Sequence, residues 1–114
     1  MNLQIITRQS GDVTILDLQG RVTIGVSNDL LIARLRELLD SGVRKVLINL
    51  ENVPSVDSSG ISSLVRSFVT LERTGGSLRL LHPQGHVREV LELTRLLHSI
   101  PNFDDEAQAI ASFE

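Results

Sequence analysis

The hydrophobic positions change period several times along the chain, and each change marks an element. Leu3 to Arg8 and Val13 to Leu18 are short runs rich in Ile, Val and Leu, separated by Ser10-Gly11-Asp12. That order predicts a β-hairpin with a tight turn, closed off by Gly20. From Ser27 to Ser41 the period becomes helical: Leu31, Leu35 and Leu38 form one stripe, Leu30 and Leu39 flank it, and Arg34 and Glu37 lie outside. Ser27 or Asn28 suits the cap at its start, and Gly42 suits a left-handed stop. Lys45-Val46-Leu47-Ile48-Asn49-Leu50 then reads as a central strand covered on both faces, because apolar residues follow one another almost without alternation.

A second helix is predicted at about Ser59 to Arg73, with Ile61, Leu64, Val65, Phe68 and Leu71 at helical spacing and Ser62, Ser63, Arg66, Ser67 and Thr70 on the opposite, outward face. Thr74-Gly75-Gly76-Ser77 breaks it in a hairpin-like turn, Leu78 to Leu81 forms another short strand, and His82-Pro83-Gln84-Gly85 turns the chain. A third helix follows near His86 to Leu93. Ile100 to Phe103 suits an edge strand limited by Pro101, and Asp104 to Ser112 a last helix whose acidic first turn complements the helix dipole. The order β-β-α-β-α-β-α-(β)-α implies one layered α/β domain over residues 1–114. Its mixed sheet has about four to five strands, begins with the hairpin and packs against about four helices, since parallel neighbours need crossover connections.

Composition narrows the chemistry. The 114 residues carry 11 Lys+Arg against 14 Asp+Glu and no cysteine. Thiol catalysis, disulfide frameworks and zinc-finger spacings are therefore excluded, and a reducing compartment is favoured. A formal charge of −3 without a basic run gives nothing to displace phosphate counterions, and the three aromatics Phe68, Phe103 and Phe113 make no stacking platform. Direct binding of nucleic acid is not expected. No run approaches the ~20 apolar residues of a membrane span, and Met1-Asn2-Leu3-Gln4 does not begin a signal peptide, so a cytoplasmic protein is expected. His82 and His86 are separated by Pro83 and Gly85 and make no metal motif, no Gly-x-Ser-x-Gly elbow supports a hydrolase, and no Gly-Lys-Ser/Thr follows Gly75-Gly76. Neither a metal, a cofactor nor a catalytic residue is assigned.

The polar cluster Val56-Asp57-Ser58-Ser59-Gly60-Ile61 lies where the central strand's loop hands over to the second helix. Backbone N–H groups without intrahelical partners project there and favour an anion. Ser58 suits the N-cap, Asp57 sets a carboxylate beside it, and Gly60 lets another molecule approach the backbone. On these residues alone, a plain capped helix is the better account.

The arrangement around that cluster resembles the STAS domain of bacterial anti-sigma factor antagonists over nearly the whole chain. The resemblance rests on Leu18-Gln19-Gly20-Arg21-Val22, on Val46-Leu47-Ile48-Asn49-Leu50 with Val53, on Val56-Asp57-Ser58-Ser59-Gly60-Ile61, and on Gly75-Gly76-Ser77-Leu78. Late positions Val87, Val90, Leu91, Leu96 and Glu106-Ala107 also fall in register. It implies that Ser58, with Ser59 as the fallback, is phosphorylated by a partner that is both a serine kinase and an anti-sigma factor. The unphosphorylated form would bind that partner and free the sigma factor, and a serine phosphatase would reset the modified form. The domain would be a substrate and a switch, not an enzyme.

The expected partner surface comprises Asp57, Ser58, Ser59 and Gly60, the loop Thr23-Ile24-Gly25, which should share their sheet edge, and Ser62, Ser63 and Arg66 along the second helix. Two departures from the resemblance bear on partner choice: Asn49 and Thr23 stand where many members carry an acidic residue, or Asn in the second case. Two other functions compete with the switch. One is a non-switching STAS subunit that docks on the ATPase of a lipid-transport complex; the other is a nucleotide or small-ligand sensor using the helix N-terminus.

Overall fold

The structure, a computed structural model, describes residues 3–22 and 30–114 in full and the helical backbone of 26–29. Strands β1 (Gln4–Ser10) and β2 (Val13–Gln19) form the expected hairpin. Ser10 pairs with Val13, so the loop has two residues, and Gly11 at the first of them has φ +61°, as a primed turn with glycine in that place requires. Helix α1 (Val26–Asp40) leads to β3 (Lys45–Asn52), α2 (Ser58–Arg73) to β4 (Ser77–Leu81), and α3 (Gly85–Leu93) with the short α4 (Leu96–Ser99) to β5 (Asn102–Phe103). Helix α5 (Glu106–Ala111) closes the order. The sheet runs β1-β2-β3-β4-β5, with β1 antiparallel to β2 and all other neighbours parallel. This is the layered α/β arrangement with a mixed sheet that the periodicity predicts.

Strand β3 sits at the centre and is covered on both faces. Val46, Ile48 and Leu50 join the larger core with Leu16, Leu18, Leu31, Leu64, Leu71, Leu78 and Leu91, contributed by β2, α1, α2, β4 and α3. Leu47 points the other way, into a smaller core with Val13, Ile15, Leu81, Ala109 and Phe113 beneath α5. The alternation of a strand divides one apolar run between two layers. A polar chain crosses the smaller-core face: Arg8 reaches both oxygens of Asp17 and also Glu106, and Asn49 Nδ2 donates to Asp17 Oδ1 at 2.8 Å. Among the described residues no helix is long and apolar enough to cross a membrane.

The structure adds one element, places one turn differently and leaves one expected cap outside the described residues. Helix α4 was not anticipated; it is a single turn entered through Arg95 at φ +62°, too short to carry a hydrophobic period. Gly75-Gly76 does not make a hairpin-like turn, because β4 runs parallel to β3; Gly75 at φ +81° ends α2 instead. Gly76 is required by crowding, since a Cβ there would stand 2.4 Å from the Arg44 carbonyl oxygen. The caps expected from Ser27 or Asn28 lie outside the described side chains.

Candidate functional site

The site is built where the parallel pair β2 and β3 runs out. Past β2 the chain continues through Gly20 and Val22: Gly20 N donates to Asn52 O at 3.1 Å, Val22 N to Ser55 O at 3.3 Å, and Asp57 N to Val22 O at 3.4 Å. A parallel bridge joins Val22 to Val56. Both side chains are buried, so this extension of the sheet anchors the loop in the larger core up to the residue before the polar cluster.

Asp57, not Ser58, is the N-cap of α2. Its backbone is extended (φ −102°, ψ −173°), and its Oδ1 accepts from Gly60 N at 2.9 Å. Both residue types suit the position, but the tie from Asp57 N to the Val22 carbonyl holds Asp57 in extended backbone and makes Ser58 the first helical residue. The Ser58 side chain is therefore released from capping, and the residue is exposed; Ser59 and Asp57 are half-buried. No acidic residue lies in the first turn of α2, so the electropositive helix end has no carboxylate there beyond the cap itself.

Gly60 serves the fold rather than an incoming molecule. It is buried, and a Cβ on it would lie 2.2 Å from the Val22 carbonyl oxygen. The close approach expected from another protein is made by the chain's own backbone. Ser63 also departs from its predicted place: it is 0% exposed, and its Oγ donates to Ser59 O at 3.0 Å. Ser67 is equally buried, with Oγ donating to Ser63 O at 2.7 Å. Hydroxyls bonded to carbonyls four residues back need no water, so these serines pack inward as small residues.

Ser62 and Arg66 are exposed and, at four-residue steps from Ser58, continue its face along α2. Arg21, which the residue reading did not single out, is exposed one position before Val22 and so belongs to this edge; only its place in the Gly20-Arg21-Val22 string points to it. Thr23, Ile24 and Gly25 lie outside the described residues. Along the same carboxyl edge, Glu51 to Pro54 and Gln84 to His86 line an open groove of about 510 Å³.

Comparisons with known proteins agree with this construction. The protein is 24% identical to an anti-sigma F factor antagonist of Paenibacillus polymyxa over 119 aligned residues, spanning 100% of this chain and 97% of that one. A crystallised candidate anti-sigma factor antagonist of Thermotoga maritima superposes with a TM-score of 0.89 at 25% identity, over 96% of this chain and 93% of that one. SpoIIAA of Bacillus, solved in its phosphorylated form, shares the fold with a TM-score of 0.73 at 20% identity, over 97% of this chain and 100% of the other. The sequence pattern of the STAS domain matches residues 4–109. With the strand extension, the capped α2 and the sheet order all in place across that span, the chain belongs to the STAS domain family.

Proposed function

We propose that this STAS domain is an anti-sigma factor antagonist whose binding is switched at Ser58. In the unmodified state it docks on an anti-sigma factor that is also a serine kinase, and the sigma factor is released. Phosphorylation of Ser58 ends the interaction, and a serine phosphatase restores it. The observation that carries this reading is the exposure of Ser58 as the first residue of α2, next to a cap supplied by Asp57.

The physical logic is local. Phosphorylation adds about −1.5 to −2 charges and three acceptor oxygens. The N–H groups of the first turn of α2 accept that charge at little cost to the fold. At a docked surface the same group adds bulk and, beside Asp57, negative charge that must be desolvated against the partner. A penalty of about 2.8 kcal/mol lowers affinity roughly a hundredfold, which suffices for a switch without a large conformational change. The anti-sigma factor antagonists among the relatives support the class of partner.

The test is phosphoryl transfer from a cognate anti-sigma factor kinase. Wild type should take up one phosphoryl group per chain, Ser58→Ala none, and Ser58→Asp should bind the kinase about a hundredfold more weakly with unchanged thermal stability. Unchanged uptake by Ser58→Ala refutes the assignment, and loss of uptake in Ser59→Ala instead moves the site to Ser59. Co-purification with a transport ATPase that is indifferent to Ser58→Asp replaces the switch with a scaffold.

A further inference from the structure

A second cleft lies at the opposite, amino-terminal end of the parallel strands, where the β1–β2 turn faces the connection from α1 to β3. It is an open depression of about 350 Å³, lined among others by Gln9, Asp12, Thr14, Ser41, Arg44 and Lys45. We propose that this cleft binds a small oxyanion, the phosphate group of a phosphomonoester or free phosphate. The proposal is independent of the reading of Ser58.

Thr14 supplies the first argument. It is 1% exposed on β2, it lines the cleft, and its Oγ1 has no hydrogen-bond partner among the described residues. Ser63 and Ser67, equally buried, each find a carbonyl. A buried hydroxyl without a partner is a cost to the fold that a ligand oxygen would offset.

Charge supplies the second. Lys45 is the single lysine of the chain, and it meets Asp12 across the cleft mouth at 2.7 Å. The Asp12 side chain is 74% exposed, so the pair is a surface one that yields readily to a better acceptor. Arg44 turns Nη1 onto the carbonyls of Leu39 and Val43 at 3.1 and 2.8 Å. The first of these bonds engages a carbonyl at the negative end of α1, and a guanidinium, with five N–H donors, has others left for an anion. The lining thus offers two cations and the hydroxyl of Thr14 against one carboxylate, the Ser41 hydroxyl already donating to Leu38 O at 2.8 Å. Donors in excess, with room for a few heavy atoms, fit an acceptor-only group bearing several oxygens.

The test is a titration of the isotopically labelled chain, followed by amide chemical shifts, with inorganic phosphate in one arm and glycerol phosphate in the other at constant ionic strength. Saturable shifts clustered on Thr14, Gly42 and Lys45 are expected. Tighter binding of glycerol phosphate identifies an organic ligand, and equal binding identifies free phosphate. Lys45→Gln should weaken binding at least tenfold. Thr14→Val should weaken it comparably while raising the melting temperature, because it removes an unpartnered hydroxyl at constant shape. Shifts that do not saturate, that sodium chloride reproduces, or that survive Lys45→Gln overturn the proposal, as does a Thr14→Val variant that melts lower than wild type.

Discussion

The Val22 carbonyl oxygen sits where a side chain on Gly60 would begin, 2.2 Å from the position of its Cβ. The same oxygen receives the Asp57 N–H, so one carbonyl both holds the cap residue and leaves no room at the third helical position. Gly60→Ala must push the start of α2 away from the β2 extension, because the obstructing atom is backbone and cannot rotate aside. A loss of about 2–3 kcal/mol is expected, read as a lower urea midpoint. The same displacement would move Ser58, so partner affinity should fall in excess of the folded fraction lost.

Asp57 carries two roles that substitutions can separate. Its Oδ1 caps Gly60 N at 2.9 Å, and its charge lies beside the exposed Ser58. Asp57→Ala removes both and should cost about 1 kcal/mol of stability. Asp57→Asn keeps an accepting oxygen and discards the charge, so its unfolding free energy should stay within about 0.5 kcal/mol of wild type. Any change in partner affinity that Asp57→Asn shows at wild-type stability then belongs to the carboxylate. Calorimetric binding beside chemical denaturation of both variants distinguishes the two.

How far the sequence disclosed this arrangement depends on the range of the interaction that decides each feature. Strand β3 and the apolar stripe of α2 were legible because Val46, Ile48 and Leu50, and Leu64 and Leu71, enter the core through local periodicity alone. The choice between Asp57 and Ser58 as cap was not, since both are good caps and a hydrogen bond to Val22, 35 positions earlier, settles it. Ser63 and Ser67 were misplaced because a polarity pattern assigns serine to water, whereas a hydroxyl that bonds its own helix behaves as a small core residue. The close contact at Gly60 left only the glycine itself as a trace, and that trace fitted an intermolecular approach equally well.

The pair Arg8 and Asp17 should make stability depend on acid. Burial raises the Asp17 pKa, but the hydrogen bonds from Arg8 and Asn49 and the Arg8 charge outweigh it, and the carboxyl lies below its ordinary value of 3.8. A depressed folded pKa means that the contribution is full above the unfolded value and is lost as pH falls below about 3.8 toward the folded one. Arg8→Met should therefore cost about 1–2 kcal/mol at neutral pH, a modest figure because Arg8 and Glu106 are both partly in water. The deficit should shrink at pH 3, below the ordinary value of 3.8, because the unfolded chain there takes up a proton that folded Asp17 resists. Urea denaturation of wild type and variant at pH 7 and pH 3 measures both; an equal deficit at the two values would assign the effect to packing of the arginine stem.

The position of Asn49 explains why an amide suits this chain. Asp17 and Asn49 are register partners on the parallel strands β2 and β3, with Nδ2 donating to Asp17 Oδ1 at 2.8 Å. The amide oxygen accepts from Glu51 N at 3.1 Å, so both ends are engaged on the face that α5 covers, away from α2. Asn49→Asp converts a donor into a second carboxylate against Asp17 and should cost about 2 kcal/mol at pH 7. Repulsion raises the pKa of one carboxyl in the folded state, so the penalty should be relieved as pH falls through that raised value and should be clearly smaller at pH 4.5 than at pH 7. Because α2 and Ser58 are not touched, affinity for the proposed partner per folded molecule should stay at the wild-type level. A change in affinity without a change in stability would instead place Asn49 in the partner surface.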